Sequence, residues 1–125
     1  MTQLSIVIPT LNEADNIDPL LDRLLKVFTD KPWSMEILLA DGGSTDGTLD
    51  RAKPWQDLAP IRIIAADTGS LAGDVLQAVG EGKGQVILVI DGDQSHPPDV
   101  APLLAKAVLE EGYDMAIGSR YVAGG

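Results

Sequence analysis

Residues 85–93 read QVILVIDGD. Gln85 to Ile90 is the most apolar run in the chain, and it stops at two carboxylates that flank a glycine. A continuous apolar run this short is a strand buried on both faces, the kind found in a parallel sheet. The same pattern recurs on either side. Leu4–Ile8 (LSIVI) is a first strand stopped by Pro9, Glu36–Ala40 (EILLA) a second ending at Asp41, and Ile61–Ala66 (IRIIAA) a third. Gln85–Ile90 is then the fourth strand and Tyr113–Gly118 (YDMAIG) a fifth.

Helical patterns fill the gaps. Within Asn12–Phe28 the apolar residues Ile17, Leu20, Leu21, Leu24, Leu25 and Phe28 trace one helical face, with Asn12 and Asp15 as caps and Pro19 in the early turns. The GGSTDGT stretch after Asp41 turns into a short helix capped by Ser44 or Thr45, and Pro54 and Pro60 bracket a loop. Ser70–Val79 is a helix between Gly69 and Gly80. Pro97 and Pro98 open another that runs to Glu110 and stops at Gly112, and residues 119–125 are irregular. Strands alternating with helices predict an α/β, three-layer α/β/α domain: a mostly parallel five-stranded sheet with helices on both faces.

Composition agrees with one such domain over residues 1–125. The chain is 45% hydrophobic, which is enough for a core and too much for global disorder. Against 9 Lys and Arg stand 19 Asp and Glu, a net charge of −10. That balance argues against a nucleic-acid partner, whose phosphates need clustered basic residues. It leaves room for a phosphorylated substrate if a bound cation inverts the local charge. There are no cysteines, so disulfides, zinc-thiolate sites and cysteine nucleophiles fall away together, and a reducing, cytoplasmic setting is expected. The residues MTQLSIVIPTLNE lack a basic lead and read as a strand and turn, not a signal peptide. No stretch reaches the roughly 18 apolar residues of a membrane span.

In parallel sheets ligands bind beyond the carboxyl ends of the strands. Polar clusters follow the strands at Pro9–Glu13, Asp41–Thr48, Asp67–Ser70, Asp91–His96 and Gly118–Tyr121, which predicts one site on one edge. Asp91-Gly92-Asp93 is the sharpest of them. Two carboxylates two residues apart can face one ion, and they repel each other unless a cation or a proton lies between. Mg²⁺ or Mn²⁺, shared with substrate phosphates, suits such oxygens; the alternative is a solvated turn. Asp41 at a strand end can accept a hydrogen bond from a base or ribose, the alternative being a glycine-rich capped turn. Asp46 and Thr48 are read as serving the backbone. Backbone N–H groups in Pro9–Glu13, near a helix start, suit a base edge or an anion, or Asn12 simply caps the helix. Asp67–Gly73 can pass close to a phosphate or sugar, while Gly80–Gly84 precedes a strand and reads as a surface turn. His96, the sole histidine, can ligate metal, shuttle a proton or hydrogen-bond its loop. Arg120 suits a phosphate or an ion pair.

Together these residues resemble the family-two glycosyltransferases. The matches, in order, are Ile6 to Glu13 (IVIPTLNE), Asp41 to Thr48, Asp91-Gly92-Asp93 and Gly118-Ser119-Arg120-Tyr121. Asp-x-Asp-x-x-His-Pro-Pro at 91–98 and Gly-Ser-Arg-Tyr at 118–121 resemble the dolichol- and polyprenyl-phosphate sugar transferases in particular. The resemblance implies the Rossmann-like GT-A nucleotide-sugar-binding fold. It also implies an inverting transfer of a hexose, mannose first, from GDP-mannose or a UDP-sugar to a lipid phosphate. It assigns nucleotide-sugar binding to Pro9, Thr10, Asn12, Glu13, Asp41, Gly43, Ser70, Asp91, Gly92 and Asp93. Mg²⁺ or Mn²⁺ would sit on Asp91 and Asp93, with Ser95 and His96 as further ligands; Ser95 stands where that subgroup often has Gln. Asp93 and Arg120 are assigned to catalysis. Where many members carry two adjacent Asp, this chain has Asp41-Gly42.

Family members continue past the Gly124-Gly125 end into an acceptor half. The expectation is therefore a donor-binding part of a parent enzyme, itself peripheral on the cytoplasmic membrane face. The surface left by the missing half could also drive self-association. Rival expectations are another acceptor, nucleotide-sugar binding without turnover, or a sugar-1-phosphate nucleotidyltransferase. The last usually has a basic glycine-rich loop after the first strand, which residues 9–13 lack.

Overall fold

The computed structural model describes residues 2–90 and 101–110. Its elements are β1 (Leu4–Thr10), α1 (Ala14–Phe28), β2 (Met35–Asp41), α2 (Thr48–Ala52), β3 (Ile61–Ala65), α3 (Leu71–Glu81), β4 (Val86–Val89) and α4 (Ala101–Leu109), with a 3₁₀ turn at Lys53–Asp57. The four strands form one parallel sheet in the order β3-β2-β1-β4. The fifth strand expected at Tyr113–Gly118 lies outside the described residues.

Side-chain alternation divides the core in two. Leu4, Ile6, Ile8, Ile37, Leu39 and Leu88 face α1, α2 and α4, where Ile17, Leu20, Leu21, Leu24, Phe28, Ala52 and Ala105 meet them. Val7, Leu38, Ala40 and Ile64 point the other way, onto Ala78, Val75 and Val79 of α3. The chain steps from β1 to β2 to β3 in one direction, then crosses back over both to reach β4. Right-handed crossovers therefore put α1 and α2 on one face and α3 on the other. The direction reverses between β1 and β4, so the ligand crevice of this topology lies at the carboxyl ends of those two strands.

Several expected boundaries move, each for a physical reason. β1 runs through Pro9 to Thr10 instead of stopping at Ile8. Backbone groups of successive residues point to alternate neighbours: Thr10 O accepts from Gly42 on the β2 side, while Val7 O accepts from Ile90 on the β4 side. Pro9 shares the parity of Val7, so its missing N–H faces β4 beyond the end of that ladder and no bond to β2 is lost. α1 begins at Ala14, with Pro19 inside it, and not at Asn12. Asn12 has φ 56°, a left-handed conformation that Asn tolerates and a helix does not. α3 continues past Gly80 to Glu81, and Gly82 ends it.

Gly80–Gly84 is also more than a surface turn. The Lys83 amide donates to Glu36 Oε2 at 2.6 Å and the Gly84 amide to Ser5 Oγ at 2.8 Å. Ser5 Oγ in turn donates to Glu36 Oε2 at 2.6 Å, and Arg62 Nη2 pairs with Glu36 Oε1 at 3.2 Å and donates to the Glu81 carbonyl at 2.6 Å. This knot ties the α3–β4 connection to the amino ends of β1, β2 and β3. Burial pushes the Glu36 carboxyl up, but the Ser5 hydroxyl, the Lys83 amide and Arg62 outweigh it and hold it below its ordinary value.

Candidate functional site

The β1–α1 and β2–α2 connections leave the sheet side by side, because Thr10 and Asp41 are register partners at the ends of their strands. Asp41 is 2% exposed and organises both. Its Oδ1 accepts from the Thr10 hydroxyl at 2.8 Å and the Ser44 hydroxyl at 2.6 Å. Its Oδ2 accepts from the Ser44 amide at 2.8 Å and the Gly43 amide at 3.1 Å. Each oxygen thus takes two hydrogen bonds, the full complement of a carboxylate. Burial raises the Asp41 pKa, and these donors, led by Ser44, more than offset it, so the group lies below its ordinary value.

A second set of bonds closes the two loops onto each other. The Asn12 amide donates to Ser44 Oγ at 2.8 Å, and the Thr45 amide donates to Asn12 Oδ1 at 2.9 Å. The Glu13 amide donates to Thr48 Oγ1 at 2.8 Å, and the Ala14 amide to Asp46 Oδ2 at 3.2 Å. Asp46 Oδ1 accepts from the Thr48 amide at 3.0 Å and from its hydroxyl. These bonds to Thr48, with the Ala14 amide, hold the Asp46 carboxyl below its ordinary value.

Two expectations change here. Neither Ser44 nor Thr45 caps α2: the N-cap is Gly47, while Ser44 is drawn back to Asp41. Asn12 does not cap α1, whose N-cap is Glu13 with no side-chain cap of its own. The start of α1 is instead capped by Asp46 of the neighbouring loop and by Thr48 at the start of α2. The amides of Asn12, Glu13 and Ala14 are therefore spent inside the protein and are not open to a base edge or anion. Asp46 and Thr48 do serve the backbone, as expected, but partly that of another helix.

The β3–α3 connection forms the third side. Ser70 is the N-cap of α3, its hydroxyl accepting from the Gly73 amide at 3.0 Å. Asp67 has φ 39° and sets its carboxylate against Gly43. Thr68 donates its amide and hydroxyl, each at 2.8 Å, to Oδ1 of Asp74 in the first turn of α3. Asp74 was not among the expected site residues. The available signal was its spacing: four residues before the buried Ala78, it puts a carboxylate on the inward face of a helix.

Pro9, Thr10, Asn12, Glu13, Asp41, Gly43 and Ser70 are therefore brought to one edge of the sheet. Asp91, Gly92, Asp93, Ser95, His96 and Arg120 lie outside the described residues. β4 carries the chain to that edge, with the Ile90 amide bonded to Val7 O at 2.9 Å immediately before Asp91. No group of three His, Asp or Glu side chains among the described residues could hold a metal ion.

The sequence and the fold are matched by known proteins. The chain is 36% identical over 124 residues to a dolichol-phosphate mannosyltransferase of Pyrococcus furiosus, covering 98% of this chain and 34% of that one. It is 30% identical over 123 residues to an undecaprenyl-phosphate 4-deoxy-4-formamido-L-arabinose transferase of Proteus mirabilis, covering 96% and 37%. The chain thus spans about a third of the length of these relatives. Among solved structures, a mannosyltransferase from Pyrobaculum calidifontis in complex with GDP-Man and Mn²⁺ shares the fold, with a TM-score of 0.63 and 24% identity over 85% of this chain and 31% of that one. Residues 5–125 match the family described as Glycosyl transferase family 2. With that match and this sheet, the chain belongs to glycosyl transferase family 2 and has the GT-A fold.

Proposed function

We propose that the chain is the nucleotide-sugar-binding part of an inverting glycosyltransferase that moves a hexose, mannose first, from a nucleoside diphosphate sugar to a polyprenyl phosphate. The observation that carries this reading is the 36% identity to a dolichol-phosphate mannosyltransferase across 98% of the chain. The locked pair of loops supports it, because a nucleoside needs a preformed edge to be read against.

In this reading Pro9, Thr10, Asn12, Glu13, Asp41, Gly43 and Ser70 shape the nucleoside side. Asp91, Gly92 and Asp93 are assigned to the diphosphate. Asp91 and Asp93 would hold Mg²⁺ or Mn²⁺, with Ser95 and His96 as further donors. Such a cation, when bound, supplies positive charge to the departing diphosphate. Arg120 would hold a phosphate. The acceptor phosphate oxygen attacks the anomeric carbon from the face opposite the leaving group, so the new C–O bond forms as the bond to the diphosphate breaks and the centre inverts. A lipid phosphate is already ionised near neutral pH, so Asp93 need not act as a strong base. A lipid acceptor sets the working place at the cytoplasmic face of a membrane. Among the described residues no helix is long and apolar enough to cross one.

Titration calorimetry with GDP-mannose and UDP-glucose, with and without Mn²⁺, tests the reading. Metal-dependent heat with one of them is expected, and its loss in Asp91→Asn and Asp93→Asn variants. No metal-dependent heat with any nucleoside diphosphate sugar would overturn it.

A further inference from the structure

The site holds a carboxylate whose function the loops do not explain. Asp74 is 7% exposed. Its Oδ1 anchors Thr68 through two hydrogen bonds, but no described residue donates to Oδ2, and no described cation pairs with it. Keeping an anion nine-tenths buried with one bare oxygen is costly unless something donates to that oxygen.

Its position points to what that is. A Cβ built on Gly42 would lie 2.6 Å from Asp74 Oδ2 and 3.8 Å from the Thr10 carbonyl oxygen. The carboxylate therefore fills the space beside Asp41 that a side chain at position 42 would take. Asp41 itself has no acceptor to spare, since both of its oxygens already take two protein donors. On this side of the crevice the buried open acceptor belongs to α3 and not to β2, the Asp67 carboxylate against Gly43 being exposed.

We propose that Asp74 Oδ2 is the acceptor through which this chain reads the nucleoside of its donor, taking a ring N–H or a ribose hydroxyl. Gly42 is then glycine because Asp74 occupies its place. The inference rests on the nucleotide-sugar reading above and deepens it by naming a specificity residue on a helix that reading does not use.

Asp74→Asn in the full chain is the direct test. It keeps an oxygen for Thr68 and replaces the open acceptor with an N–H donor. GDP and UDP affinities, measured by calorimetry with Mn²⁺, are expected to fall about tenfold, the size of one charge-assisted hydrogen bond, with the melting temperature held. 2′-Deoxy- and 3′-deoxynucleotides identify the donor: the penalty of one of them disappears in the variant if that hydroxyl is read, and neither does if the ring N–H is read. Either pattern on top of the affinity loss supports the proposal. Should Asp74→Asn lose its fold, Gly42→Ala carries the test, because its methyl displaces the Asp74 carboxylate from this position while leaving its charge in the protein, and the same loss is expected. Wild-type binding with either folded variant unchanged overturns the role of Asp74 alone. A wild type that binds no nucleotide overturns the underlying reading and this inference with it.

Discussion

At the scale of single residues, Asp41 carries the most structure for its size. Its four donors come from Thr10, Gly43 and Ser44, and it holds a charge that burial alone would suppress. Because its folded pKa lies below the ordinary 3.8, its contribution to stability is fully present above that pH. It is lost as the pH falls through the depressed folded value. Glu36 behaves alike from its ordinary 4.5 downward. Asp41→Asn is therefore expected to cost about 2 kcal/mol near neutral pH and to flatten the acid limb of stability. Urea unfolding at a series of pH values from 7 to below 3.8 checks both. The sequence placed Asp41 correctly at a strand end, because an apolar run closed by a carboxylate is a local signal. Its partner Thr10 lies 31 residues away and Asn12 meets Ser44 at a separation of 32, so no local spacing could reveal them. The assigned roles of Asp91, Asp93, Ser95, His96 and Arg120 stay with the sequence and the resemblance.

Elements were legible where periodicity decides them and shifted where neighbours do. α1 was visible from Ile17, Leu20, Leu21, Leu24 and Phe28, all buried in the structure. Its start was misplaced because its amides are satisfied by α2's leading loop. Pro9 looked like a stop because the direction of its missing N–H depends on which strand lies on each side. Gly80 looked like an end, yet the helix passes through it. Thr48, 1% exposed, accepts the Glu13 amide and donates to Asp46. Thr48→Val removes both bonds while keeping the shape, and is expected to destabilise by about 1–2 kcal/mol, the range of a lost helix cap. Loss of amide-exchange protection at Glu13 and Ala14, with the rest of α1 unchanged, is the specific readout.

For the whole molecule, the alternation of strands and helices was enough to predict a parallel three-layer domain, and family and fold agree with it. The strand order was not readable, because it depends on which way each crossover turns. The polar knot beneath the sheet was missed for a related reason: it joins Ser5, Glu36, Arg62 and Gly84, drawn from four separate segments. It makes a prediction of its own. A Cβ at Gly84 would lie 2.5 Å from the Ser5 nitrogen and 2.7 Å from the Leu4 carbonyl carbon, backbone that cannot yield like a flexible side chain. Gly84→Ala is expected to lower stability by about 1–3 kcal/mol, seen as a lower melting temperature with nucleotide affinity per folded molecule unchanged.

The capping of α1 from the next loop also bears on the order of folding. Its bonds join residues 32 to 35 apart in sequence, so none can form before β2 has docked beside β1. Early in folding α1 has no fixed start, and its first turn frays until the second loop arrives. A contact made after the transition state slows unfolding and leaves the folding rate alone. In stopped-flow experiments Thr48→Val should raise the unfolding rate by nearly its whole stability cost and barely move the folding arm. A folding arm slowed by that same factor would instead place the pairing of the two loops in the nucleus.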